Sequence, residues 1–197
     1  ASRKLGNPLD TTQAEMASRK VSEKLESMLF TSSTYTFGGG TIYSYLNHPD
    51  RNTVTLTKNW DAATITALNI IDDVIAMKQA AIDAKHYGPY QIYIPTAYET
   101  ALDKDYDSNT PGTTIRERIM KISGIKGIKV VDTLTANNVL MVQMTSDTVR
   151  LVKGLPIQNV QWNGAQGQFV TNYKVLTIQV PQVRSDSEGN SGVVHLA

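Results

Sequence analysis

Three aspartates at alternate positions, Asp103, Asp105 and Asp107, with Asn109 next, have the spacing with which a calcium loop begins. A hard cation takes oxygen ligands from a turning chain, and such a run supplies the first of them. The rest of the loop does not follow. Ser108 stands where the sharp turn calls for glycine, and Thr114 where a bidentate glutamate would close the shell. The segment therefore reads as a solvated acidic loop. The run Gly38-Gly39-Gly40 lacks the Lys-Ser/Thr ending and the helix start of a phosphate loop, and reads as a flexible bend. His48, His86 and His195 are far apart without ligand spacing, and read as surface or capping residues. Asp72 and Asp73 are neighbours on an expected helix and point in different directions, so they make no acid–base pair. There is no Gly-x-Ser-x-Gly elbow and no cysteine, which excludes thiolate metal sites, disulfides and a thiol nucleophile. No catalytic residue, metal or cofactor is expected, and the chain does not read as an enzyme.

Charge is uneven in one place. Glu99, Asp103, Asp105 and Asp107 stand against Lys104 in 99–107, whereas Arg116, Arg118, Lys121, Lys126 and Lys129 stand against Glu117 in 116–129. The two stretches are solvated faces or an internal pair, or else an acidic loop of one subunit meets the basic face of the next. On the second reading the interface candidates are Asp103, Asp105, Asp107, Arg116, Arg118 and Lys121. Arg184 joins them, in a polar tail (184–192) placed to close against a neighbour. Trp60 and Trp162 are expected as core or interface anchors.

The elements that would position these residues fit a globular chain of 197 residues, 41% hydrophobic and 19% charged. The net charge of +1 is too small for a dedicated nucleic-acid binder. No apolar stretch is long enough to span a bilayer, and the N-terminus does not read as a secretory signal. Val21, Leu25, Met28 and Leu29 lie on one narrow face of a helix over 11–30, with Asp10 and Gln13 as a capping-box-like start. Val54 and Leu56 alternate with threonines as a strand. A helix is expected over 62–85, capped by Asp61, with Ile65, Leu68, Ile71, Val74, Ile75 and Ile82 on its apolar face. A strand over 90–94, short helices from Thr96 to about 104 and from Thr114 to about 122, and a strand over 128–131 complete a mixed unit. Strands over 139–144, 148–153, 157–162 and 168–180 follow, the last ending at Pro181.

In this order the elements resemble the Hong Kong 97-type major capsid proteins, whose fold the encapsulins share. Leu25-Glu26-Ser27-Met28-Leu29-Phe30, leading into the Gly-rich segment, resembles the end of the family's spine helix. His48-Pro49-Asp50-Arg51-Asn52-Thr53-Val54 resembles a Leu-Asn-x-Pro-x-Arg passage of one subgroup. Tyr87-Gly88-Pro89-Tyr90 with Gln91-Ile92-Tyr93-Ile94-Pro95, and Gly124 to Val131, resemble its axial domain. Val142 to Asp147, Val160-Gln161-Trp162, Lys174 to Asp186 and Ser191 to His195 resemble its C-terminal passage.

The resemblance implies an α+β fold in three parts. Residues 1–60 would hold the spine helix and part of a peripheral domain, 61–140 the axial domain, and 141–197 a β-rich return to the peripheral domain. The family's N-terminal arm and extended loop would be missing, since about ten residues precede the helix. The implied product is an icosahedral shell of pentamers and hexamers enclosing double-stranded DNA of a tailed phage, without sequence-specific DNA binding or membrane contact. Scaffolding, portal or decoration proteins are the implied further partners. The virion is the implied location, with assembly in the host bacterial cytoplasm. An encapsulin-type compartment enclosing protein cargo is the alternative.

Overall fold

The computed structural model describes residues 9–107, 112–163 and 171–197. Helix α1 (Leu9–Phe30) leads into a short hairpin of β1 (Tyr35–Phe37) and β2 (Gly40–Ile42). A five-stranded sheet follows, in the order β3 (Asn52–Val54), β9 (Val193–Leu196), β6 (Val139–Gln143), β4 (Tyr90–Ile94), β5 (Ile125–Val130). The outer pairs β3–β9 and β4–β5 are parallel, and β6 runs antiparallel to both β4 and β9. Strands β7 (Val149–Asn163) and β8 (Thr171–Val183) form a separate antiparallel ribbon.

Side chains alternate across a strand, and the central strands use both faces. Tyr90, Ile92, Ile94, Val139, Met141, Val194 and Leu196 enter one core. There they meet helix α2 (Ala67–Asp83), helix α4 (Ile115–Met120) and the turn Thr96–Tyr98 that precedes α3 (Glu99–Leu102). Tyr93, Leu140, Val142 and Val193 enter a second core with Phe30, Tyr45, Leu46, Val131 and Leu134. Burial on both faces explains why β6 is an unbroken apolar run up to Gln143. Phe30 ties α1 to this second core, its ring 4.9 Å from that of Tyr93 and 5.6 Å from that of Tyr45.

Several expectations are corrected. Helix α1 begins at Leu9, so Asp10 lies inside it. Helix α2 is capped by Thr66, whose side chain accepts from the Asn69 amide at 3.3 Å, and not by Asp61. Its buried face is Ile70, Ile71, Asp73, Val74, Met77 and Ala81, while Leu68 and Ile75 face outward. The helix expected from Thr96 is a 3-10 turn and one short α-turn. The strands expected at 148–153 and 157–162 are one strand, β7, whose register slips between Lys153 and Gln158, around Gly154 and Pro156. Strand β8 runs past Pro181, which stands opposite Leu151, to Val183. The strand after α4 starts at Ile125. The five-stranded sheet joins strands remote in sequence, β3 and β9 at one side and β6, β4 and β5 at the other.

Candidate assembly surface

Two of the charged candidates, Asp103 and Arg116, come together within the chain. Thr114 caps α4 in a full capping box with Glu117, which sets the helix orientation. Arg116, in the first turn of α4, then reaches Glu99 at 2.8 Å and Asp103 at 3.0 Å. The guanidinium thus meets two carboxylates of its own chain. Asp105 bridges back to Thr114, and Arg118 lies 6.0 Å from the centre of the Tyr106 ring. Asp107 closes the described part of the acidic loop, and Asn109 and Ser108 lie outside the described residues. Lys121 is exposed at the end of α4. Arg184 is exposed beside Asp147, Asp186 and Asn190, and its backbone N–H donates to Thr148 O at 2.8 Å. These seven residues form no single cluster.

The histidines serve the fold. Asp50 N donates to His48 Nδ1 at 3.2 Å, closing the His48-Pro49-Asp50 turn. Burial pushes the His48 imidazole below its ordinary pKa, Asp50 opposes this, and Arg51 adds to it. His195 Nε2 lies 2.6 Å from Asn138 Oδ1, and Arg51 Nε donates to His195 Nδ1 at 3.4 Å. Burial, with Arg51 second, holds His195 below its ordinary value too. His86 Nδ1 lies 3.4 Å from Thr148 Oγ1. Among the described residues no group of three or more acidic or histidine side chains could hold a metal ion. No described helix is long and apolar enough to cross a membrane.

Much apolar surface faces outward. The ribbon carries Leu151, Val152, Ile157, Val160, Trp162 and Ile178 exposed. An isolated two-stranded ribbon is marginal in water. Here Val149 and Val183 hold its base against the second core, and α1 lies along β8. From Val149 to Val183 the sequence has no acidic residue, only Arg150, Lys153 and Lys174. Trp162 is thus a surface residue, while Trp60 is a core one, fully buried and stacked 5.3 Å from Tyr98. Phe37 is 92% exposed at the tip of the β1–β2 hairpin. Gly38 and Gly39 both have positive φ there, so the triple glycine is a tight two-residue turn and not a loose bend. An aromatic residue beside such a turn was the signal that could have marked Phe37 in the sequence.

Solved structures place this architecture. The capsid of Myoviridae phage XM1 matches with a TM-score of 0.73 at 10% identity, over 96% of this chain and 65% of that one. A virus-like particle from Pyrococcus furiosus matches with a TM-score of 0.69 at 19% identity, over 91% of this chain and 64% of that one. The mature capsid of bacteriophage PhiM1 matches with a TM-score of 0.54 at 11% identity, over 98% of this chain and 66% of that one. The chain thus spans just under two thirds of the length of each of these proteins. Its fold is that of the Hong Kong 97-type capsid proteins. Residues 2–196 match one family model, and the chain belongs to that family, described as a family of unknown function (DUF6260). No curated protein matches the sequence significantly.

Proposed function

We propose that this chain is a structural subunit that closes with copies of itself into an icosahedral shell, the head of a tailed phage enclosing double-stranded DNA. The observation that carries the reading is a capsid fold joined to a ribbon with several apolar side chains left exposed by the described residues. Large exposed apolar patches mark interaction sites. A specific subunit contact buries ~1,200–2,000 Å² in total. Several modest contacts per subunit reinforce one another, so a closed shell is stable although each contact is weak. A net charge of +1 leaves little self-repulsion to overcome.

In this reading the five-stranded unit, mostly 61–140 with β3 and β9 added, surrounds the capsomer axes. Helix α1, the β1–β2 hairpin and the ribbon lie between capsomers. The subunit encloses DNA through its geometry and not through sequence-specific contacts. Scaffolding, portal and decoration proteins are its further partners, and assembly takes place in the host bacterial cytoplasm.

The second reading is an encapsulin-type compartment enclosing protein cargo, favoured by the match to the Pyrococcus furiosus virus-like particle. Negative-stain microscopy and sedimentation of the full-length protein test both. Megadalton spherical particles are expected. DNA-filled heads support the first reading and small protein-filled shells the second. A chain that stays monomeric across salt and concentration overturns both.

A further inference from the structure

We propose that Phe37 is an anchor by which one copy grips the next, its ring seated in an apolar recess on the neighbouring copy's ribbon. The inference rests on the reading of the chain as a self-assembling subunit and names one contact of that assembly. The hairpin that carries Phe37 is built to present it. Lys24 Nζ donates to Tyr35 Oη at 2.8 Å, fixing the root of β1 to α1. The turn at Gly38 (φ 58°) and Gly39 (φ 81°) fixes the tip. Apart from the adjoining residues of the turn, no described atom lies within 4 Å of where a side chain would begin at either glycine, so the tip stands clear of the described part of the molecule. From Tyr35 to Ile42 the hairpin has no charged residue, which keeps its desolvation cost low. A rigid, exposed aromatic residue on an uncharged support is the usual make-up of an interface anchor.

A matching recess lies elsewhere on the chain. Leu29, Tyr45, Met144, Val149, Leu151 and Pro181 line a depression of about 210 Å³. An apolar cavity of about 150 Å³ already holds a benzene ring. Arg150 is also in the wall, but its Nε donates to Gln182 at 2.6 Å. Phe37 does not reach this recess within its own chain. Thr41, Ile42 and Tyr43, at the foot of the hairpin, lie against Val152 and Val180, a directly opposed pair on the ribbon. Pro181 lines both this recess and the depression at the foot of the hairpin, so the two adjoin along the ribbon, and the 92% exposed Phe37 ring lies in neither. Knob and recess are thus different parts of one chain's surface. Such a pair joins copies head to tail, and a head-to-tail contact closes into a ring when its rotation permits.

The 197 residues contain no cysteine, so thiols introduced among them report this contact. Full-length Phe37→Cys and Leu151→Cys proteins, distinguished by a mass tag, are mixed and oxidised. A tagged–untagged linked dimer is expected in the mixture, and none when either variant is mixed with the unsubstituted chain. Phe37→Ser should reduce the assembled fraction at fixed concentration about tenfold, Phe37→Leu much less, both with unchanged thermal unfolding. Absence of the mixed link, or assembly by Phe37→Ser at the unsubstituted level, overturns the contact. Shells without the link leave the shell reading standing. The link without shells retains the contact and removes that reading.

Discussion

The indole N–H of Trp60 donates to the carboxylate of Asp73 at 2.9 Å, and both residues are almost wholly buried. The other Asp73 oxygen accepts from Thr57 Oγ1 at 2.6 Å and from the Thr57 amide at 3.4 Å. One side chain of α2 thereby holds the loop between β3 and α2. It also sets the Trp60 ring against Tyr98, and so the whole first core. Removing the carboxylate strands a buried indole N–H and a threonine hydroxyl together. Asp73→Ala should cost about 3 kcal/mol in urea unfolding, and Trp60→Phe, which loses one donor but keeps most of the packing, about 1–2 kcal/mol. Equal midpoints for Asp73→Ala and the unsubstituted protein would show that the network contributes nothing.

Arg116 predicts a different outcome from the one its charge pattern suggests. Its side chain is mostly buried against Glu99 and Asp103, both more exposed than itself. Arg116→Glu sets a third negative charge among these carboxylates and loosens α4 from α3. A loss of about 1–2 kcal/mol in stability is expected, after discounting for solvent screening. Arg118→Glu, whose side chain makes a long contact with Tyr106 among the described residues, should change stability by less than about 0.5 kcal/mol. Thermal unfolding of the two variants separates these effects. Equal losses would mean that the Glu99–Arg116–Asp103 bridge is not what holds α4.

Local signals were legible in the sequence where the structure uses local physics. Thr114 and Glu117 announce their helix because a capping box needs only four residues. Gly88-Pro89 marks the end of the helix and turn before β4, and the linkage there is cis. Strand β9 escaped because its partners, β3 and β6, are remote in sequence, and Val193 to Leu196 is too short for alternation to speak. The start of α2 was misplaced because Asp61 and Thr66 are both good caps. The contact of Trp60 with Asp73 draws 61–66 into turns and leaves the choice to Thr66. Of the candidate site, segregated charge was visible, but not that Arg116 finds Glu99 and Asp103 in its own chain, 17 and 13 residues away. The exposure of Leu68, Ile75 and Ile178 was hidden for a simpler reason. Periodicity marks an apolar face, not which part of it the neighbouring elements cover.

The ribbon gives a prediction that separates folding from assembly. Ile178 on β8 is 62% exposed, and Trp162 near the end of β7 is exposed as well. Ile178 contributes little burial to the single chain, so Ile178→Lys should shift unfolding by less than about 0.5–1 kcal/mol, and Trp162→Ser, which gives up a half-buried ring, by about 1–2 kcal/mol. Each adds a charge or removes an anchor on an apolar contact surface, where single residues carry about 1–2 kcal/mol or more of association energy. Sedimentation should show the unfolding transition preserved and the large particles lost or shifted to about tenfold higher concentration. Unchanged particle yield in both variants would mean that the ribbon faces solvent in the assembled state.

Acid should weaken the junction of β3, β9 and β6 through His195. Arg51 donates to Nδ1 of this imidazole, so the ring proton sits on Nε2, facing Asn138 Oδ1. Protonating Nδ1 would turn an acceptor into a donor aimed at a guanidinium, in a half-buried place. Burial and Arg51 together hold the folded pKa below the ordinary 6.5. His48 is lowered in the same direction, by burial first. Below pH 6.5 the unfolded chain therefore binds more protons than the folded one, and unfolding free energy falls as pH drops towards the folded values. Above pH 6.5 the contribution is complete and flat. His195→Gln, which retains an amide able to meet Asn138 but does not titrate, should flatten the slope of stability between pH 6.5 and 5 relative to the unsubstituted chain. Urea midpoints across that range measure it, and parallel slopes for the two proteins would assign the acid sensitivity to groups other than His195.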